Sequence, residues 1–147
     1  MRHYLLPLLS LVLLSSCVSP QEQSSYKDHS YEEVSNKLIT YDQAFSVTEE
    51  DHFIYFYQET CHSCEEIKNE VIDFALNVSS HFYFVIGDVT IPHTYSFEDI
   101  NKTIGSSKVE DVFVGVTPQL VVIKEGKIAK NIIKNIYIEE ELSHYRT

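Results

Sequence analysis

The sequence predicts an α/β sandwich with a mixed central sheet and flanking helices. Three observations carry this. Compact runs of aliphatic and aromatic residues, His52–Tyr57 (HFIYFY), Phe82–Asp88 (FYFVIGD) and Gln119–Lys124 (QLVVIK), have the length and composition of buried strands. Between the first two, apolar residues recur at helical spacing: Ile67, Val71, Phe74, Ala75 and Val78 share one face, while Glu65, Glu66, Lys68, Asn69, Glu70 and Asp73 fall elsewhere. A tight hairpin is expected at Glu125-Gly126, between QLVVIK and Lys127–Ile133 (KIAKNII). Strand, helix, strand, then helix, hairpin and helix is the order of a sheet covered by helices.

The chain starts with the layout of an export signal. Arg2 and His3 precede the apolar run from Tyr4 to Leu14, and small residues then lead to Cys17. The run is too short to cross a bilayer comfortably as a permanent helix. Leu14-Ser15-Ser16-Cys17 resembles a bacterial lipobox, in which the cysteine is lipid-modified and becomes the first residue of the mature chain. Residues 1–16 are therefore expected to be a lipoprotein signal peptide, the alternatives being an ordinary signal peptide or an uncleaved anchor. Two acyl chains hold a protein on a membrane where one does not.

From Val18 to about Ser30 the chain is rich in Ser, Gln, Glu and Asp, with Pro20 near its start, and reads as a flexible tether. The expected division is thus residues 17–30 for the lipidated cysteine and tether, and 31–147 for one folded domain. Within that domain, Lys37–Thr40 reads as a short edge strand and Asp42–Ser46 as a short helix. Thr48–Asp51 reads as a polar turn. Val89 to Phe113 is polar and irregular, with a helix around Phe97–Ile104 that Gly105-Ser106-Ser107 would end. Ile138–Tyr145 reads as a closing helix.

The 147 residues suit one domain, and apolar residues are plentiful enough to bury a core. The formal net charge of -11 makes nucleic acid an unsuitable partner, since phosphate binding needs a basic patch. Anionic headgroups would repel such a chain, so membrane attachment must come from something other than a polybasic surface. There are three cysteines, Cys17, Cys61 and Cys64, which is no disulfide framework. With Cys17 assigned to lipid, Cys61 and Cys64 are left as a pair.

Cys61-His62-Ser63-Cys64 stands just after a strand and at the start of a helix. Unpaired N–H groups and the helix dipole there favour negative charge, which lowers a thiol's pKa. The second cysteine lies one turn on, near enough to close a disulfide. A thiolate attacks a substrate disulfide to form a mixed disulfide, and the second thiol resolves it. Cys61 is the expected nucleophile and Cys64 the resolving thiol. Half of a zinc site and an inert structural disulfide are the other readings of such a pair; zinc wants four ligands, and no second cysteine pair exists. His62, if protonated, would stabilise the thiolate, whereas Glu59, Glu65 and Glu66 would oppose it. Alternatively, His62 is an exposed helix-start residue of little influence. His29, His52, His81, His93 and His144 show no ligand spacing and read as surface or strand-end residues. No metal site and no cofactor is expected, and the strand aromatics read as core.

At these residues the sequence resembles the thioredoxin superfamily. The matching stretches are FIYFYQETCHSCEEIKNEV (53–71) and GVTPQLVVIKEGKI (115–128). The resemblance spans roughly Lys37 to Tyr145 and implies a thioredoxin-like three-layer sandwich with a central mixed sheet and flanking helices. It also implies that Pro118, preceded by Thr117, is cis and packs against the cysteine pair, with the Thr117 backbone offering strand-like hydrogen bonds to a bound peptide. The departures are Thr60 in place of Trp, His62-Ser63 in place of Gly-Pro, and Tyr55 in place of a buried acid. They set the chain apart from thioredoxin itself and make it look more like the extracytoplasmic thioredoxin-like lipoproteins of bacteria.

The function this implies is a thiol–disulfide oxidoreductase. It would be lipid-anchored on the extracytoplasmic face of a bacterial membrane. Its partners would be exported protein thiols or disulfides and a membrane or extracytoplasmic redox partner. The alternative is a thioredoxin-like accessory binding module or a copper chaperone, since soft thiolates suit Cu(I).

Overall fold

A computed structural model describes residues 27–79, 81–87, 97–112, 114 and 116–146. The signal segment, Cys17 and the tether up to residue 26 lie outside the described residues, as do Asp88, residues 89–96 and Phe113. The elements are β1 (His52–Tyr57), α1 (His62–Asn77), β2 (Phe82–Ile86), α2 (Phe97–Lys102), β3 (Gln119–Lys124), β4 (Lys127–Ile133) and α3 (Asn135–Ser143).

They form a four-stranded sheet in the order β2-β1-β3-β4. β1 runs parallel to β2, joined by the α1 crossover, and antiparallel to β3, which is antiparallel to β4. All six residues of β1 are buried, because this central strand is covered on both faces, which is why HFIYFY shows no polar alternation. Phe53, Tyr55 and Tyr57 pack with Phe82, Phe84, Leu120 and Val122 under α1 and α3. Ile54 and Phe56 point the other way, into a second cluster with Val121, Ile123, Ala44, Val112 and Val114. This is a thioredoxin-like α/β fold, with a mixed sheet between covering layers. The first cluster is mainly aromatic: Phe53 meets Phe74 and Tyr145 edge-on at 5.6 and 5.0 Å between centroids. Truncating a ring as buried as Phe74 typically costs about 3–5 kcal/mol.

The hairpin turns as expected, with Glu125 and Gly126 both at positive φ (51° and 68°). Such a pair matches the twist of the strands it joins. Asp51 holds it from outside, accepting from the Glu125 N–H at 2.8 Å, while the Gly126 N–H donates to the Glu50 carbonyl at 2.9 Å.

Several boundaries differ from expectation. Tyr31–Lys37 forms 3₁₀ turns, and the edge strand expected at Lys37–Thr40 shrinks to a single bridge between Leu38 and Phe84. The helix expected at Asp42–Ser46 is a 3₁₀ turn, Tyr41–Gln43, started by a Thr40/Gln43 capping box. β2 ends at Ile86, and Gly87, read as part of the strand, lies outside it. α3 begins at Asn135, three residues early, because the chain reverses at Lys134 (φ 75°) directly after β4. Val78 is exposed, and Ile72 takes a place in the core that helical spacing had not assigned. His29, read as a surface residue, is buried: its N–H donates to Asn69 Oδ1 at 2.8 Å and its ring lies 3.2 Å from the Glu33 carboxylate. His52, at the start of β1, is also buried, between the carbonyls of Ala44 and Glu49.

Candidate functional site

Cys61 and Cys64 are joined in a disulfide, with their Cα atoms 5.2 Å apart. Cys61 is the N-cap of α1 in extended conformation, and its Sγ accepts from the Cys64 N–H at 3.2 Å. Its carbonyl accepts from Cys64 and Glu65, both at 3.1 Å. The sulfur thus occupies the place of a capping oxygen, over donors that have no helical partner. The two cysteines differ in access: Cys64 is 1% exposed, whereas Cys61 is only partly buried.

The Thr117–Pro118 peptide is cis, as the resemblance implied, and Pro118 is buried. Cys61 Sγ lies 3.3 Å from the carbonyl oxygen of Thr117. The fold therefore brings Cys61, Cys64, Thr117 and Pro118 together at one end of the sheet. Gly87 borders the same corner, where a Cβ would sit in ordinary contact, 3.4 Å from the Tyr57 carbonyl and 3.6 Å from the Thr117 methyl. Val116, beside Thr117, is 48% exposed and offers an apolar patch at the rim.

His62 points into solvent, with 90% of its side chain exposed, and its Nε2 lies 3.4 Å from Glu66 Oε1. The other oxygen of Glu66 accepts from Asn135 Nδ2 at 2.7 Å. Ser63 follows on the first turn of α1, on its partly exposed side. Glu65 pairs with Lys68.

Beneath the pair lies Tyr55, which is fully buried. Burial, together with the neighbouring Tyr31 phenol, pushes its pKa far above the usual tyrosine range. Burial does the same for Tyr31, whose ring stacks on Tyr57 at 3.9 Å and packs in the same cluster as Cys61. The hydroxyls of Tyr31 and Tyr55 are buried beside each other, and neither has a further hydrogen-bond partner among the described residues. Tyr57 is also raised, by burial and then by the charge of Glu59. The floor beneath the pair is thus aromatic and neutral.

Sequence reasoning did not find Tyr31, Asn135 or Gly87. Tyr31 reaches the site through a 3₁₀ turn with no periodic signal, and Asn135 meets Glu66 across 69 residues. Among the described residues no cluster of three or more His, Cys, Asp or Glu could hold a metal ion.

No protein-family model and no curated protein matches the sequence. Solved structures similar to it include three thioredoxins. The Plasmodium falciparum thioredoxin is 17% identical, covering 74% of this chain and 98% of its own, with a TM-score of 0.48. The Malassezia sympodialis thioredoxin is 15% identical, covering 75% and 92%, with a TM-score of 0.47. Mitochondrial thioredoxin 3 from Saccharomyces cerevisiae, in its oxidised form, is 19% identical, covering 74% and 93%, with a TM-score of 0.45. Strand order, the α1 crossover and the cysteine pair at its helix N-terminus define the fold independently of these overlaps.

Proposed function

We propose that this chain is a lipid-anchored, extracytoplasmic thiol–disulfide oxidoreductase acting on exported proteins through Cys61 and Cys64. The observation that carries the reading is the asymmetry of the pair. Cys61 is accessible, caps α1 and faces the Thr117 carbonyl, whereas Cys64 is sealed beneath it. An attacking sulfur must reach a substrate; a resolving sulfur needs only to reach its neighbour.

In the reducing direction, the Cys61 thiolate attacks one sulfur of a substrate disulfide. A mixed disulfide forms, and the departing substrate thiolate takes up a proton. Cys64, having lost its proton, then attacks Cys61 Sγ. The second substrate thiol leaves and the Cys61–Cys64 disulfide closes, two electrons having passed to the substrate. The oxidising direction is the reverse, and the potential of the pair relative to its partner selects between them. The helix N-terminus favours the Cys61 thiolate in either direction.

The full chain in detergent is expected to exchange disulfides with a dithiol, and Cys61→Ser to abolish this. Turnover that survives Cys61→Ser would sink the mechanism. The anchor is tested separately: the mature chain should begin at Cys17 and carry the mass of its acyl groups, and an unmodified Cys17 would remove this part of the reading.

A further inference from the structure

We propose that Glu66 is a positioning residue for the redox pair, drawing the His62 imidazole away from Cys61 and so keeping the disulfide less oxidising than its motif alone would make it. This deepens the proposed function and rests on it.

The geometry is a three-residue chain. Asn135 Nδ2, at the first residue of α3, donates to Glu66 Oε2 at 2.7 Å. Glu66 Oε1 faces His62 Nε2 at 3.4 Å, one helical turn on. The Asn135 Oδ1 atom is buried without a partner among the described residues, so only the amide nitrogen of this side chain is engaged. The carboxylate thus meets side chains from two helices.

His62 is the first residue of α1, and Cys61 Sγ lies at the N-terminal end of the helix, accepting the Cys64 N–H. An imidazole directed toward position 66 runs down the helix, away from that sulfur. When the ring is protonated, its charge is balanced by Glu66 and not spent on a Cys61 thiolate. A cation beside the thiolate would stabilise the reduced form and make the disulfide a stronger oxidant. Glu66 opposes this twice, by holding the cation off and by adding a negative charge near the helix N-terminus.

Other charged groups can act on His62. Glu59 stands three residues before it in the loop after β1, and Glu65 is tied to Lys68 on its own helix. Lys134 precedes Asn135 on the α3 side. None of them accounts for the direction of the ring, which only Glu66 meets within ion-pair distance among the described residues.

The test is a redox equilibrium of the full chain in detergent against glutathione, for wild type, Glu66→Gln, His62→Gln and the double variant. It is read at the lowest pH at which the reduced chain shows thiolate absorbance, where imidazolium and thiolate coexist, and at about pH 9, where an imidazole is neutral. At the lower pH, Glu66→Gln should shift the equilibrium toward the dithiol by at least about threefold, and clearly less in the His62→Gln background. At the higher pH the difference between backgrounds should vanish. Equal shifts in both backgrounds would reduce Glu66 to a plain charge, and no shift or the opposite sign would overturn the inference outright. A pair that does not equilibrate with glutathione in any variant would instead sink the oxidoreductase reading, so the two failures are distinguishable.

Discussion

Cys61 Sγ and the carbonyl oxygen of Thr117 lie 3.3 Å apart across 56 residues of sequence. This contact joins the two segments that carry the redox reading. In the oxidised state the sulfur has no proton to give. On reduction a thiol could donate to this oxygen, whereas a thiolate would be pushed away from it. Reduction should therefore move the NMR signals of residues 116–118 along with those of 61–65, and leave β3 beyond Val121 nearly still. Shifts confined to 61–65 would contradict the juxtaposition.

Tyr55 places its hydroxyl in the core beneath the pair, with only the Tyr31 hydroxyl to meet it. A buried polar group without a partner costs about 1–3 kcal/mol. Tyr55→Phe is expected to lower stability by roughly 1 kcal/mol by stranding the Tyr31 hydroxyl, and adding Tyr31→Phe is expected to recover it. Because burial keeps this phenol neutral, the same variant should leave the pH profile of disulfide exchange unchanged. A gain of stability from Tyr55→Phe alone in urea melts would contradict the pairing, and a displaced pH profile would show that the hydroxyl has a role in the site.

Asp51 fastens the start of β1 to the β3–β4 turn. Its pKa is lowered first by the Glu125 N–H and then by Lys124. Glu49 is lowered first by the Tyr83 hydroxyl, which donates at 2.8 Å, and Glu33 first by the Ser30 N–H and then by His29. A depressed carboxyl contributes stability that is present above its unfolded value, about 4, and is lost as pH falls through the lower folded value. Denaturation midpoints should thus hold between neutral pH and about 5 and fall more steeply below about 4. Asp51→Asn should lower the midpoint at neutral pH and make the acid limb shallower. An unchanged acid limb would mean that Asp51 contributes nothing through its charge.

Much of this architecture could be read from residue patterns. The strands HFIYFY and QLVVIK, the amphipathic α1 and the Glu125-Gly126 turn are specified locally, by apolar runs, helical period and turn chemistry. The cysteine pair and Pro118 were legible because their spacing is tied to a fold. The segment before β1 was not legible in the same way. Val34, Ala44 and Tyr31 are apolar or aromatic residues in short 3₁₀ turns whose partners lie on β1, β2 and the segment around Val112. Burial of His29 was hidden for a similar reason, since its partner Asn69 is 40 residues away. The Asn135–Glu66–His62 chain depends on how α3 docks on α1, and single-residue patterns do not encode that.

The central claim is that Cys61 attacks and Cys64 resolves. The most direct measurement is mixed-disulfide trapping by the Cys64→Ser chain with a disulfide-containing protein, followed by peptide mapping of the crosslink. The account predicts a stable adduct on Cys61, released by a dithiol, and none with Cys61→Ser. An adduct absent from Cys64→Ser, or formed through Cys64 when Cys61 is replaced, would contradict it.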